Sequence, residues 1–320
     1  MFAGFGIAAA IIGACYAWAV FSSRAAESGP PFSTLTLQDI PFNGERAFGY
    51  LKQLCDLGPR PSGSQGMLMQ QQVLEKHFRQ FGAEVVYQRF RVPHPRERTL
   101  VPMANMIIHW HPESKERILL CAHYDTLPYP MLDPQNPQGR FVGANDNASG
   151  VSVLMELAHD MAKLDTPYGV DFLLVDGEEF IFSHQDRYFL GSEYFSREYV
   201  KNPPPYRYRW GVLLDMIGDK DLQIYKERNS VRWRHVRPLV EEIWATAERL
   251  GVREFIPRVG HEVRDDHVML TEVGKIPTCD LIDFDYKPWH TENDVPEQCS
   301  PLSLAKVGWV VRTWLEGLKR

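Results

Sequence analysis

Glu178 and Glu179 are adjacent carboxylates that close the apolar run Val170-Asp-Phe-Leu-Leu-Val-Asp176. Two neighbouring acids repel each other unless a cation lies beside them, and acids just past a buried strand are where α/β proteins keep their chemistry. The pair therefore asks for a metal. Four more clusters stand just after an apolar stretch or at a glycine-rich turn: His123-Tyr-Asp125, Gly143-Ala-Asn-Asp146-Asn-Ala-Ser-Gly150, Leu214-Asp215-Met-Ile-Gly218 and Trp289-His290-Thr291. A lone histidine at a strand end is ordinary hydrogen-bonded structure, but five such clusters together point to a common site. Zinc accepts histidine nitrogen and carboxylate oxygen, and catalytic zinc keeps one position open for substrate or water. Asp146, Glu179 and His290 supply a two-carboxylate, one-histidine set of that kind. His123 with Asp215 supplies half of a second metal site, and Asp125 is placed to orient His123.

These residues need a scaffold that brings distant turns together. Hydrophobic patterning predicts strands over 84–92, 104–110, 117–122, 170–175, 210–214 and 277–282. It predicts helices over 148–164, 236–250 and 302–318, and another that starts after Ser62-Gly-Ser64, carries Leu74, Phe78 and Phe81 inward and stops at Gly82. Strands and helices that alternate in this way imply an α/β fold, a three-layer α/β/α sandwich with a central mixed, mostly parallel sheet. Ligands in such folds bind beyond the carboxyl ends of the strands. The loop 128–139, rich in Pro, Asn and Gln, lies outside the regular elements.

Composition bounds the rest. The 320 residues are 44% hydrophobic and 24% charged, values that exclude disorder and a polytopic membrane protein. A net charge of −6 offers no basic footprint, which excludes a nucleic-acid partner. Residues 1–23 carry no charge and 2–21 are almost wholly apolar, long enough to cross a bilayer as a helix. They read as a transmembrane anchor or a signal segment, residues 24–43 with Pro30, Pro31 and Pro41 as a linker, and 44–320 as a single catalytic domain. The protein is then membrane-anchored or secreted, with its catalytic domain extracytoplasmic. Cys15 lies in the apolar span, and Cys55, Cys121, Cys279 and Cys299 are too few and too scattered for a disulfide framework or a clustered zinc site. Cys121 reads as a small core residue, and one bridge among the others stays open.

The ordered motifs resemble a known family. His123-Tyr-Asp-Thr126, the 143–150 turn, Val175-Asp-Gly-Glu-Glu-Phe180, the 213–218 segment, Asp265-Asp266-His267 and Pro288-Trp-His-Thr291 are similar to the zinc aminopeptidases. More particularly they resemble the glutaminyl-peptide cyclotransferase (glutaminyl cyclase) branch, from Ala47 to the end of the chain. The strand-end aspartate segment, the Arg264-Asp265-Asp266-His267 turn and Trp289 directly before His290 carry the branch resemblance, with Gln185-Asp186 and Gly191-Ser192 after the glutamate pair. The loop departs from the cyclases in carrying Phe180, Phe182 and His184 where they have a second tryptophan, and the 143–150 turn looks more like the aminopeptidases. The cysteine that in the cyclases pairs near the first histidine motif is absent.

The resemblance implies one zinc on Asp146, Glu179 and His290, with Glu178 as the catalytic acid–base and Asp215 and Asp265 as its proton network. Asp266 is the alternative to Asp265, and Trp289 walls the substrate. The substrate would be a peptide with a free amino-terminal glutamine, cyclised to pyroglutamate with loss of ammonia by a monomeric enzyme. The alternative is a di-zinc aminopeptidase, in which His123 and Asp215 hold a second zinc bridged by Asp146 and Glu178 deprotonates a water. A binding ectodomain without metal would lack some of these ligand types, and none is missing. Asp265-Asp266 also reads as a helix cap because Val268-Met-Leu270 follows. His94, His109 and His111 read as surface residues, and Tyr129 either edges the pocket or stands exposed.

Overall fold

The computed structural model describes residues 32–319, so the expected anchor or signal segment at 1–23 and the start of the linker lie outside the described residues. Among the described residues no helix is long and apolar enough to cross a membrane. Chain order is α1 (Gly44–Asp56), α2 (Gln65–Gln80), β1 (Glu84–Pro93), β2 (Leu100–Trp110), β3 (Glu116–His123), α3 (Gly150–Met161), β4 (Gly169–Val175) and α4 (Leu190–Lys201). There follow β5 (Arg207–Asp215), β6 (Ile224–Lys226), α5 (Arg228–Arg232), α6 (Arg237–Leu250), β7 (Phe255–Val259), the one-turn α7 (Asp266–Val268), β8 (Thr278–Ile282) and α8 (Pro301–Gly317).

Six strands form one sheet in the order β1-β2-β4-β3-β5-β8, and β6 pairs with β7 apart from it. β4, β3, β5 and β8 run parallel, while β1 and β2 add an antiparallel edge. The expected mixed, mostly parallel sheet is therefore observed. Side chains of a strand alternate between faces, and the core divides accordingly. Ile118, Leu120 and Ala122 of β3 and Val170, Phe172 and Leu174 of β4 join a large cluster with Leu51 of α1, Leu154 of α3 and Leu304 of α8. Leu119, Cys121, Leu173 and Val175 point the other way, onto Phe195 of α4 and Leu270. All seven residues of β4 are buried, as a strand covered on both faces requires.

Connectivity creates the crevice. From β3 the chain crosses through α3 to β4 on one side, then through α4 back past β3 to β5 on its other side. The two helices thus lie on opposite faces, and the switch falls at the carboxyl end of β3, where His123 stands.

Several boundaries differ from the reading of the sequence. Helix α2 begins where expected, with the Ser64 side chain accepting from the Met67 amide at 3.1 Å. The helix expected over 148–164 starts instead at Gly150, because residues 144–149 form an irregular turn with non-helical backbone at Asp146 and Asn147. Helices α1 and α4 and the β6–β7 pair were not predicted, although α1 buries Ala47, Leu51, Leu54 and Cys55 along one face. Residues 33–43 of the expected linker pack onto the fold: Ile40 and Phe42 are buried, and Glu254 accepts from the Ser33 amide at 3.1 Å. Cys55, Cys121, Cys279 and Cys299 are buried free thiols.

Candidate active site

Each cluster of chemically capable residues reaches the same end of the sheet because each follows a parallel strand. β3 ends in His123, β5 ends in Asp215, the glutamate pair follows β4, and the 143–150 turn lies on the crossover out of β3. Gly177 makes the turn after β4 with φ +80, and a Cβ there would meet the Met103 sulfur at 2.7 Å. Glycine suits both demands.

The 143–150 turn is stitched to the end of β5. Asn145 Oδ1 accepts from the Gly218 amide at 2.7 Å, Asn147 Nδ2 donates to the Leu214 carbonyl at 2.8 Å, and the Ser149 hydroxyl accepts from the Ile217 amide at 3.1 Å. These polar residues therefore set Asp146 against Asp215. Asp294 completes the support, its carboxylate accepting from the Asn145 and Asp146 amides at 2.8 and 3.1 Å and from the Tyr286 hydroxyl at 2.7 Å. Asp294 was missed in the sequence, where an acid in a polar stretch carries no signal of burial.

Asp146 occupies the centre. Its Oδ1 lies 3.0 Å from His123 Nε2, and its Oδ2 lies 3.4 Å from His290 Nε2. His290 Nε2 is 2.8 Å from Glu179 Oε1, and His123 Nε2 is 3.3 Å from Asp215 Oδ1. His290 has φ +58, a rarely adopted backbone for a residue with a side chain, and its carbonyl accepts from the Leu132 amide at 3.1 Å. Asp125 lies beside His123 as expected, with its carbonyl 3.3 Å and its Oδ1 3.8 Å from His123 Nδ1, and its carboxylate also accepts from the Glu178 and Glu179 amides, both at 3.1 Å. The Asp125 carboxylate therefore orients the glutamate pair more than the histidine.

Charge is concentrated here beyond what two histidines balance. Burial, then the neighbouring acids, pushes Glu178 and Glu179 well above the usual carboxylate range, with His123 opposing. Burial also raises Asp215, and it carries Asp265 up to about 8 with the adjacent Asp215 adding to it. Asp146 resists burial because the two histidines beside it, His123 hydrogen-bonded and His290 close by, hold its carboxyl well below that range. A cation would relieve these strained carboxylates. The donors fit one: ligand atoms of Asp146, Glu179 and His290 lie within 4.8 Å of one another, as do those of His123, Asp146 and Asp215. Asp146 Oδ2 and Asp215 Oδ1 are buried without a hydrogen-bond partner, as open ligand positions would be.

The cluster opens into a cavity of about 670 Å³ that Glu178, Asp265, Phe284, Trp289 and His184 help to line. Trp289 is half-buried, its ring centroid 4.0 Å from that of His290 and 5.0 Å from that of Phe284. Asp265 caps α7 by accepting from the Asp266 amide, so it serves the local helix and faces the cavity as well. The exposed Tyr129 lies against Phe182, outside the cavity lining. The histidines expected at the surface are partly enclosed: His109 Nδ1 is 2.7 Å from the buried Asp171, His111 Nε2 bonds the Met161 carbonyl, and His94 packs on Phe180 and Phe182.

Comparisons with known proteins agree with this geometry. The sequence profile of peptidase family M28 matches residues 105–315. The glutaminyl-peptide cyclotransferase of Bos taurus is 24% identical over 242 residues, 66% of this chain and 65% of that protein, so the chain spans just under two thirds of that relative's length. The crystal structure of Fimbriiglobus ruber glutaminyl cyclase is 41% identical with a TM-score of 0.83, covering 87% of this chain and 96% of that one. That of a Zn-dependent exopeptidase from Parabacteroides distasonis is 29% identical with a TM-score of 0.80, covering 87% and 99%.

Proposed function

The chain belongs to peptidase family M28, and from that premise we propose that it is a glutaminyl-peptide cyclotransferase, converting the amino-terminal glutamine of peptides to pyroglutamate with release of ammonia. The observation that carries the reading is the 41% identity to the Fimbriiglobus ruber glutaminyl cyclase across nearly the whole of that chain. Zinc, for which the Parabacteroides exopeptidase is named, would be held by Asp146, Glu179 and His290 and would supply Lewis acidity toward the amide carbonyl.

The remaining chemistry falls to the chain's own residues. The cavity admits a glutamine side chain between the aromatic wall of Trp289 and Phe284 and the acidic floor. There the substrate's α-amine is held near the carbon of its own γ-carboxamide, and this folded conformation replaces a bimolecular encounter. The amine nitrogen bonds to that carbon, the carbon–amide nitrogen bond breaks, and ammonia departs. Glu178 takes the proton the amine loses and returns it to the leaving nitrogen, a role suited to a buried carboxyl whose proton affinity is raised. Asp215 and Asp265, which line the same cavity as Glu178, hold the protons around it.

A second reading has its own observation. His123, Asp146 and Asp215 form a further donor set, which would suit a two-zinc aminopeptidase that removes amino-terminal residues. Incubation with a Gln-initiated peptide separates the two: ammonia and a peptide lighter by one ammonia support cyclisation, whereas free glutamine at unchanged ammonia rejects it. We further place the catalytic part outside the cytoplasm, anchored or released through residues 1–23 and acting as a monomer. The uncharged apolar stretch supports this placement, and protease accessibility on intact cells with sizing chromatography tests it.

A further inference from the structure

In the turn Arg264-Asp265-Asp266-His267 three consecutive side chains leave α7 in three directions. Asp265 lines the cavity alongside Asp215. Asp266 accepts from the Ser192 hydroxyl on α4. His267 turns inward and is fully buried, with Nε2 3.3 Å from Glu227 Oε2 and Nδ1 3.6 Å from Asp280 Oδ2. Neither ring nitrogen makes a hydrogen bond, so the imidazole is held by packing between two acids, with the Trp233 ring 5.7 Å away.

Both acids are anchored to other elements. Glu227 accepts from the Asn229 and Ser230 amides at 2.8 and 2.6 Å, the Ser230 hydroxyl at 2.8 Å and the Val263 amide at 3.1 Å. Asp280, in the middle of β8, donates its amide to the same Ser230 hydroxyl at 3.2 Å. The wedge around His267 is therefore tied to β8 and to the amino end of α5. Asp265 has no comparable tether: one carboxylate oxygen caps α7, and the other, Oδ2, is buried without a hydrogen-bond partner. Where that oxygen points depends on where the turn is held.

We propose that His267 is a positioning residue, held between Glu227 and Asp280 so that α7 presents the Asp265 carboxylate to Asp215 and the catalytic cavity. The inference rests on the part given to Asp265 in the cyclisation above. Removing the imidazole leaves Glu227 with its four donors and Asp280 held through its backbone amide, its carboxylate oxygens having no hydrogen-bond partner, while the turn gains freedom. A misplacement of about 1 Å in a catalytic group can cost on the order of 10²-fold in rate.

The test compares the unmodified protein with His267→Leu and His267→Gln in ammonia release from a Gln-initiated peptide, bound zinc per chain and thermal midpoint. His267→Leu is expected to lower kcat by about 10²-fold with KM within about threefold and zinc unchanged. His267→Gln, which keeps an N–H that can reach Glu227, is expected to recover part of the loss and stands in should the leucine variant not fold. Unchanged kcat in both variants, zinc lost in step with kcat, or glutamine no better than leucine overturns the inference. No ammonia from the unmodified protein removes the cyclisation and this inference with it, whereas ammonia at equal rates from all three removes the inference alone.

Discussion

Glu178 and Glu179 adjoin in sequence and share the Asp125 carboxylate through their amides, yet their side chains differ in their partners. Glu179 Oε1 meets His290 and its Oε2 accepts from the Leu127 amide at 3.2 Å. Glu178 borders the cavity, held through its amide by Asp125. Glu178→Gln is therefore expected to lower kcat by about 10²–10⁴-fold while the protein still binds zinc. Glu179→Gln should lose zinc during dialysis, since it removes an anionic ligand. Full activity in the first variant, or zinc retention in the second equal to the unmodified protein, would contradict the division of roles. The sequence carried the ligand types and their spacing, so Asp146, Glu179 and His290 were legible. Asp294 and the turn-stitching Asn145, Asn147 and Ser149 were not, because their partners are backbone amides of segments far along the chain.

At the scale of elements, the glycine that opens α3 is a packing requirement. A Cβ on Gly150 would lie 2.3 Å from the Leu214 carbonyl oxygen. Gly→Ala inside a helix ordinarily stabilises by about 0.4–1 kcal/mol, but Gly150→Ala is expected to cost about 1–3 kcal/mol in denaturant unfolding, as overpacking does. A rise in stability would show that α3 can move off β5 freely. Helix α2 makes the fold acid-sensitive. His77 bonds the Met155 carbonyl at 2.8 Å, and burial lowers its pKa to about 4. Its folded value lies below the unfolded one, so its contribution is complete above about 6.5 and is lost as the pH falls toward 4, on the order of 2 kcal/mol. His77→Gln, which keeps a donor but cannot titrate, should flatten the stability curve between those pH values; an unchanged slope would assign the acid lability elsewhere. Strands and helices with clear periods were predicted within a few residues. The helices α1 and α4 were missed, although α1 carries Ala47, Leu51, Leu54 and Cys55 at helical spacing, a period the sequence itself displays.

Across the whole molecule, burial governs both reactivity and metal content. The four described cysteines are enclosed, Cys55 with its thiol pushed up to about 12 by burial, so thiol reagents should titrate them only after unfolding. Rapid reaction of any of the four in the folded protein would mean that the core opens. Purified protein is expected to hold one tightly bound zinc per chain by elemental analysis, and two equally tight ions would favour hydrolysis over cyclisation. By itself the sequence determined the fold class, the family and a set of candidate donor residues, because strand and helix periods and donor spacing are local properties of the chain. Only the tertiary structure decided that the Asp125 carboxylate supports the glutamates more than His123, that residues 33–43 belong to the fold, and that His267 lies between two buried acids. Each of those facts is a contact between segments a dozen residues apart or more, and their distance from one another is set by how the sheet and its crossovers close.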